Sequence, residues 1–353
     1  SLQRFLRAKF NSAIYLSTTT MSDEPIEEIG ENGYEAAIRN KIEELKSRLQ
    51  NPEIPRENAD NFKRHGLLGE GGCGRVMKVS RDSEETFYAM KQICKNKMKN
   101  AYENIKRERD ILVAVKFHFI VKLLWCCMDA YSLYFVCELA NCGDLVDLIT
   151  TQTIAESQVC FYIGQIIIAL EYLHGGTIIH RDIKPENIVV CSDGYIKLTD
   201  FNLSRLLPDG TRARTYCGTE GYMAPEIRAR ASAGYTLSVD FYAVGALTEA
   251  IIDHYLEQRS EVTQTHEEAS RDTQQFMHAM MEADPARRLG ANGVQEIRRH
   301  PVFATTNWDN LYMKRVTPPI ERPRPVAIKP GDFSDDARKA EEAPPSEGFK
   351  SFC

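Results

Sequence analysis

Apolar and polar positions along this chain follow two periods, and the switches between them mark its elements. Over 34–49, apolar side chains recur at Ala37, Ile38, Ile42, Leu45 and Leu49, the stripe of an amphipathic helix, and Asn51-Pro52 stops it. Over 104–115 a charged helix carries an apolar face of Ile105, Ile111, Leu112 and Val115. Residues 159–173 are largely apolar, broken by Gln165 and Glu171; the run is too short to span a bilayer and predicts a buried helix. Residues 87–91 and 131–139 read as strands. So do 188–190 and 195–198, joined by the turn residues Ser192-Asp193-Gly194. That hairpin brings Asn187 and Asp200 to the same end.

The chemistry gathers around it. The stretch 179–202 places Asp182 to accept a hydroxyl proton and Lys184 two residues on. Asn187 and Asp200 supply oxygens for a divalent metal over phosphates. A single Asp here would read as a solvated turn residue; the spaced set reads as a site for phosphoryl transfer. Upstream, the loop Gly69-Glu70-Gly71-Gly72-Cys73-Gly74 offers backbone for close approach to phosphate, with Val76 as a cap on a flat base. A strand ending in Ala89-Met90-Lys91 follows, which suits a hairpin folding over nucleotide. A dinucleotide turn is excluded, because neither a helix pattern nor a ribose-binding acid follows at the needed distance.

Lys91 needs a carboxylate to aim its ammonium. Glu108 and Glu103 compete, and the register against Ile111-Leu112 favours Glu108. After the strand 131–139, the small residues Ala140-Asn141-Cys142-Gly143 form a hinge where an adenine would bond backbone at Glu138 and Ala140. Asp144 reads as a helix cap or, with Glu186, as a reader of basic substrate. Thr215 is a candidate phosphosite, with Arg181 and Arg205 placed to pair with its phosphate. Glu226 with Arg288, and Asp240 against the catalytic-loop backbone, are read as structural.

Composition adds limits. The 353 residues are 43% hydrophobic, enough for a large two-lobed core, and the net charge of -6 with interspersed signs gives no footprint for nucleic acid. Ten cysteines without a CxxC pair predict reduced thiols in the cytoplasm or nucleus, with no disulfide framework or zinc site. No segment reads as transmembrane. Residues 1–20 are basic and hydroxyl-rich without an acid, and Met21 opens an ordinary acidic start, so 1–33 is read as a disordered N-terminal extension.

From about residue 35 onward the chain resembles the serine/threonine kinases of the AGC group. Within that group it is most similar to the catalytic subunits of cyclic-AMP-dependent protein kinases. The likeness rests on the motifs above and on Asn58-Ala59-Asp60-Asn61-Phe62, Gly74-Arg75-Val76-Met77, Asn292-Gly293-Val294, Phe303-Ala304-Thr305-Thr306-Asn307-Trp308 and Pro330-Gly331-Asp332-Phe333. The ending Phe349-Lys350-Ser351-Phe352 is similar to one that folds back onto the small lobe.

The resemblance implies an α+β, bilobal kinase fold, with a small antiparallel β-sheet lobe bearing one main helix (62–138), a hinge (139–144) and a larger, mainly helical lobe (145–303). A helix and linker (34–61) would dock on the large lobe, and 304–353 would form the tail. It implies ATP and Mg2+. Nucleotide contacts would come from Gly69, Glu70, Gly71, Gly72, Cys73, Gly74 and Val76 in the loop. Ala89, Lys91, Glu138, Ala140, Val189 and Thr199 would add to them from the strands and hinge. Asp182 would be the base, Lys184 would contact the transferred phosphate, Lys91 and Glu108 would position phosphates, and Asn187 and Asp200 would hold metal. Protein substrates would carry Ser or Thr preceded by Arg, in cyclic-AMP-type signalling with a regulatory subunit or a pseudosubstrate inhibitor as partner.

Several positions depart from that pattern. Asn202 stands for the Gly of the metal loop and is expected to take a left-handed backbone; Gly72-Cys73 replaces a Ser and an aromatic at the loop tip. The segment 251–266 is about half the usual length and lacks a Pro-Pro-Phe turn, which is expected to remove most of a docking helix. Glu249 is one position from the expected acid, and Arg214 replaces an aromatic. Asn104 replaces the phosphate-binding His before Glu108, which predicts weaker coupling of Thr215 to the small lobe. These departures motivate an alternative, a kinase-like binding protein that keeps nucleotide and has lost turnover.

Overall fold

The computed structural model describes residues 33–71, 74–81, 84–95, 102–263 and 268–320. Expectations for residues 1–32, Gly72, Cys73 and the tail past Ile320 lie outside them. The first apolar stripe forms α1 (Gly33–Gln50), with Tyr34, Ile38 and Leu45 buried. Its opening amide, Tyr34 N–H, donates to Asp309 Oδ1 at 2.8 Å, satisfying a group that the helix itself cannot pair. At its other end Arg48 donates to the Ala114 carbonyl at 2.7 Å and to the Tyr172 hydroxyl at 3.1 Å. One side chain thus ties α1 to both lobes.

The small lobe is an antiparallel sheet of β1 (Phe62–Gly71), β2 (Gly74–Arg81), β3 (Phe87–Cys94), β4 (Leu123–Met128) and β5 (Ser132–Glu138), in the order β1-β2-β3-β5-β4. Alternation along β3 sends Tyr88 and Met90 into a core with Phe62, Met77, Val79, Tyr134 and Val136. Ala89 and Lys91 stay half-buried on the opposite face. Beside the sheet lies α2 (Tyr102–Ala114), which buries Ile105, Ile111 and Leu112 and, unusually for an acid, Glu108.

The large lobe opens with α3 (Leu145–Thr151) and is built on α4 (Glu156–Gly175), which is buried on nearly every side. Both polar residues that interrupt its apolar run have partners. Gln165 Oε1 accepts the Ile196 amide at 2.9 Å, and Glu171 accepts the Tyr34 hydroxyl. Two short ladders follow, β6 (Ile178–Ile179) with β9 (Arg205–Leu206) and β7 (Ile188–Val190) with β8 (Ile196–Leu198). Then come α5 (Pro225–Arg228), α6 (Ser238–Thr263), α7 (Arg271–Met280), α8 (Val294–Arg298) and α9 (Trp308–Tyr312).

In the segment 251–266 the described residues are helical: α6 runs through them to Thr263, with Ile251 and Ile252 buried. No Gly or Pro occurs from Ala246 to Glu268, so nothing in the sequence stops the helix.

Beneath the segment that follows the metal loop, Arg288 is 1% exposed and grips Glu226 with two bonds of 2.8 and 2.9 Å. It also donates to the Ser238 carbonyl at 3.1 Å. Arg288→Met leaves a carboxylate in the interior without its partner, and a loss of about 3–5 kcal/mol is expected. Chemical denaturation measures it; a loss below about 1 kcal/mol would mean that water or another cation replaces the guanidinium.

Candidate active site

The hairpin β7–β8 fixes the end of the site that carries Asn187 and Asp200. Thr199 N–H donates to the Asn187 carbonyl at 2.9 Å, which sets Asn187 beside Asp200 at the strand ends, as the turn residues predict. Asp200 itself takes the left-handed backbone, φ 60°, while Asn202 does not. The expectation for Asn202 is thereby corrected: the strained residue is the Asp, and no backbone penalty attaches to replacing Gly two positions later.

Lys91 projects from β3 into the space between the lobes. Its ammonium lies 2.7 Å from Glu108 Oε1 and 2.9 Å from Asp200 Oδ1, which settles the choice between Glu108 and Glu103. Burial disfavours its charge, yet the two carboxylates outweigh that and raise its pKa. Burial likewise works against Asp200, but Lys91 holds its carboxyl below the usual range; Glu108, deeper, is pushed up by burial. The ammonium is therefore fixed, charged and aimed by groups from both lobes.

A second cluster faces it. Asp182, 6% exposed, accepts from Thr219 Oγ1 at 2.6 Å and from Asn187 Nδ2 at 2.8 Å, with Lys184 Nζ at 3.1 Å. Lys184 also donates to Thr219 Oγ1 at 2.8 Å. Thr219 therefore joins Asp182 to Lys184, a link that sequence reading missed. Thr219 and Asp182 are 37 apart, and no local period connects them.

Behind the loop, Asp240 is fully buried and accepts from His180 N–H at 2.9 Å, Arg181 N–H at 2.8 Å and His174 Nε2 at 2.9 Å. Burial alone would raise its pKa, but these donors hold it below the usual value. A depressed folded-state pKa contributes stability above the unfolded-state pKa, near 3.9, which is lost as pH falls through the folded-state value. Asp240→Asn is expected to flatten the acid limb of a stability-versus-pH profile; an unchanged acid limb would place that stability elsewhere.

The remaining nucleotide candidates have mixed fates. Val76, Ala89, Val189 and Thr199 are each half-buried, next to buried Met77, Met90, Val190 and Leu198. Gly69 has open space where a Cβ would sit. Gly74 differs: its φ is +127°, and a Cβ would meet the Gln92 carbonyl at 2.1 Å, so the sheet requires this glycine whether or not phosphate binds. Glu70 pairs with Arg75 at 2.8 Å across the hairpin, and Gly71 lies opposite Gly74.

At the hinge the Glu138 amide already donates to the Lys122 carbonyl at 3.1 Å, whereas the half-buried Ala140 amide has no acceptor among the described residues. Glu138's carboxylate accepts from Lys122 N–H at 2.7 Å and from the buried Lys197 at 2.8 Å, a second connection that the sequence did not reveal. The metal residues fit as well, since carboxylate and carboxamide oxygens form a donor set suited to a hard divalent cation.

Asp144 caps α3, accepting the Asp147 amide at 2.9 Å, so the capping reading has direct geometry. Glu186 lies near Tyr222, whose hydroxyl is pushed up to about 12 by burial and then by the Glu186 charge. Thr215 is exposed. Its carbonyl accepts the Tyr235 hydroxyl at 2.7 Å, and Arg181 donates to the same hydroxyl at 3.1 Å.

Residues 62–303 match the model of the protein kinase domain, and the chain belongs to that family. Among curated proteins it is similar to mouse ribosomal protein S6 kinase alpha-2, 36% identical over 78% of this chain and 40% of that protein. The human ribosomal protein S6 kinase alpha-2 aligns with the same identity and shares. A probable serine/threonine-protein kinase of Dictyostelium discoideum is 35% identical over 74% of this chain and 61% of its own length. The chain thus spans about two-fifths of the length of the S6 kinases that it matches. Among the described residues no helix is long and apolar enough to cross a membrane.

Proposed function

We propose that this chain is an active protein kinase that transfers the γ-phosphoryl of ATP to Ser or Thr of protein substrates. One observation carries this: Lys91 is joined to Glu108 and to Asp200 at once, the arrangement that aims a cation at phosphates from both lobes. Asp182 accepts the proton of the target hydroxyl as its oxygen bonds to phosphorus, and the bond to the leaving β-phosphate oxygen breaks. Lys184, held by Thr219, faces the charge that develops on the transferred group. Asn187 and Asp200 would hold Mg2+, which neutralises phosphate charge when bound. The Ala140 amide would take a purine acceptor.

The finer reading is of targets preceded by Arg, in a cyclic-AMP-type setting, supported by the motif likeness and by Glu186 beside the catalytic loop. A regulatory subunit is no part of it, because the segment 251–266 is about half the family's length without the Pro-Pro-Phe turn, and Arg214 replaces an aromatic. Free cysteines suit a reducing compartment, cytoplasmic or nuclear.

The deciding assay is incorporation of labelled phosphate from ATP-Mg2+ into an Arg-Arg-x-Ser peptide. Incorporation supports the kinase; retained nucleotide binding without incorporation would leave the binding-protein reading. Asp144 can be separated from its cap by Asp144→Ser, which preserves capping. We expect stability within about 0.5 kcal/mol and a KM for the peptide raised about tenfold. An unchanged KM would make Asp144 a cap alone.

A further inference from the structure

We propose that Cys142 in the hinge and Cys191, directly after β7, are a modification site: a reversible disulfide joins them and narrows the slot for the nucleotide base. Its effect on nucleotide rests on the reading above. The two segments are already laced together by backbone. Asp144 bridges Val189 in antiparallel register, the Val190 amide donates to the Gly143 carbonyl at 2.8 Å, and the Cys142 amide donates to the Val190 carbonyl at 3.2 Å. Cys142 and Gly143 thus share one partner, a bulge that Gly143 permits with its φ of 81°. The Val190 carbonyl belongs to the peptide that leads into Cys191. Its bond to the Cys142 amide therefore holds the two α-carbons within the roughly 4.4–6.8 Å that a disulfide spans.

Unequal exposure of the two thiols orders the chemistry. Both are reduced; Cys142 is 3% exposed, whereas Cys191 is half-buried and can be reached first. Burial, then the charge of Asp193, pushes the Cys142 thiol up to about 11, so it is the slower nucleophile of the second step. The oxidant is a small disulfide of the glutathione class. Cys191 attacks it as the thiolate, its proton going to water, and displaces one glutathione thiolate, which takes up a proton. Cys142, deprotonated in turn, attacks the Cys191 sulfur of the mixed disulfide and displaces the second glutathione. Two protein thiols are oxidised to one disulfide while one small disulfide is reduced to two thiols, so electrons and protons balance.

The link reaches the nucleotide candidates from both sides. Cys142 lies two residues past Ala140, and Cys191 two past Val189. A bond between the sulfurs also takes Cys142 Sγ from Asn141 Oδ1, to which it now donates at 3.3 Å, and so disturbs the residue next to Ala140. Drawing these segments together closes the space between the Ala140 amide and Val189. The bond further closes a loop of about 50 residues, which constrains the unfolded chain and stabilises the fold.

The test equilibrates the full chain with glutathione disulfide, alongside Cys142→Ala, Cys191→Ser and a sample returned to dithiothreitol. Peptide mapping by mass spectrometry without reductant, melting temperature and the Kd for ATP are all read. The parent chain is expected to yield a linked Cys142–Cys191 peptide, to melt about 5 °C higher and to bind ATP about tenfold more weakly. Dithiothreitol should reverse all three, and both variants should keep the reduced parent's affinity. Absence of the linked peptide, an equal loss of affinity in either variant, or an unchanged affinity in the fully linked chain would overturn the proposal. If the link forms and raises the melting temperature of a chain that binds no ATP even when reduced, the disulfide stands and the nucleotide reading falls.

Discussion

Asp182→Asn should lower kcat on a peptide substrate by about 10³-fold with little change in nucleotide affinity. Asn keeps the shape and loses the base. The carboxylate now accepts from Thr219, Asn187 and Lys184 together, and a carboxamide offers one oxygen to that set while directing an NH2 at donors. The loss therefore has two sources, the missing proton acceptor and a Lys184 released from its position. Thr219→Val separates them, since it keeps the base and cuts the link; a fall of about tenfold is expected. Nucleotide affinity is the control, because Lys91 and the glycine hairpin do not touch Asp182. Full activity in Asp182→Asn would remove this residue from the reaction.

Lys91→Met should remove measurable phosphotransfer, about 10²–10³-fold, and also destabilise the fold by about 3–5 kcal/mol. The second effect follows from burial. Lys91 is the counter-charge shared by Glu108 and Asp200, which without it face each other as like charges. The pH dependence has a definite sign. Glu108 is already raised by burial, and losing Lys91 raises it further. A carboxyl with a raised folded-state pKa contributes stability below its unfolded-state pKa and loses it as pH rises through the folded-state value. The destabilisation of Lys91→Met should therefore be smaller near pH 5 than near pH 8. Thermal unfolding at the two values reads this directly; equal losses would mean that Glu108 stays charged or reaches water.

Much of this site was legible because kinase-type chemistry uses short, fixed spacings. Asp182, Lys184 and Asn187 lie within one loop, and the turn 192–194 dictates that Asn187 meets Asp200. What escaped were pairings between segments that no period connects. Thr219 against Asp182, Lys197 against Glu138 and Arg48 against Ala114 are each long-range contacts made by a single side chain. Asn202 shows another limit. Its identity suggested a left-handed residue, but the chain spends that conformation on Asp200, a choice made by the packing of the whole loop.

By itself, the sequence determined the elements with strong periodicity, the hairpin carrying the metal residues, the glycine loop before a lysine strand, and the family to which these belong. Local hydrogen bonding and apolar spacing settle such features within a few residues of chain. Only the tertiary structure decided that Thr219 joins Asp182 to Lys184, that α6 persists through 251–263, and that Gly74 answers to the sheet. Each of those depends on how separate faces come together, and the free energy of burying a charge or a glycine is set by neighbours that the local chain does not contain.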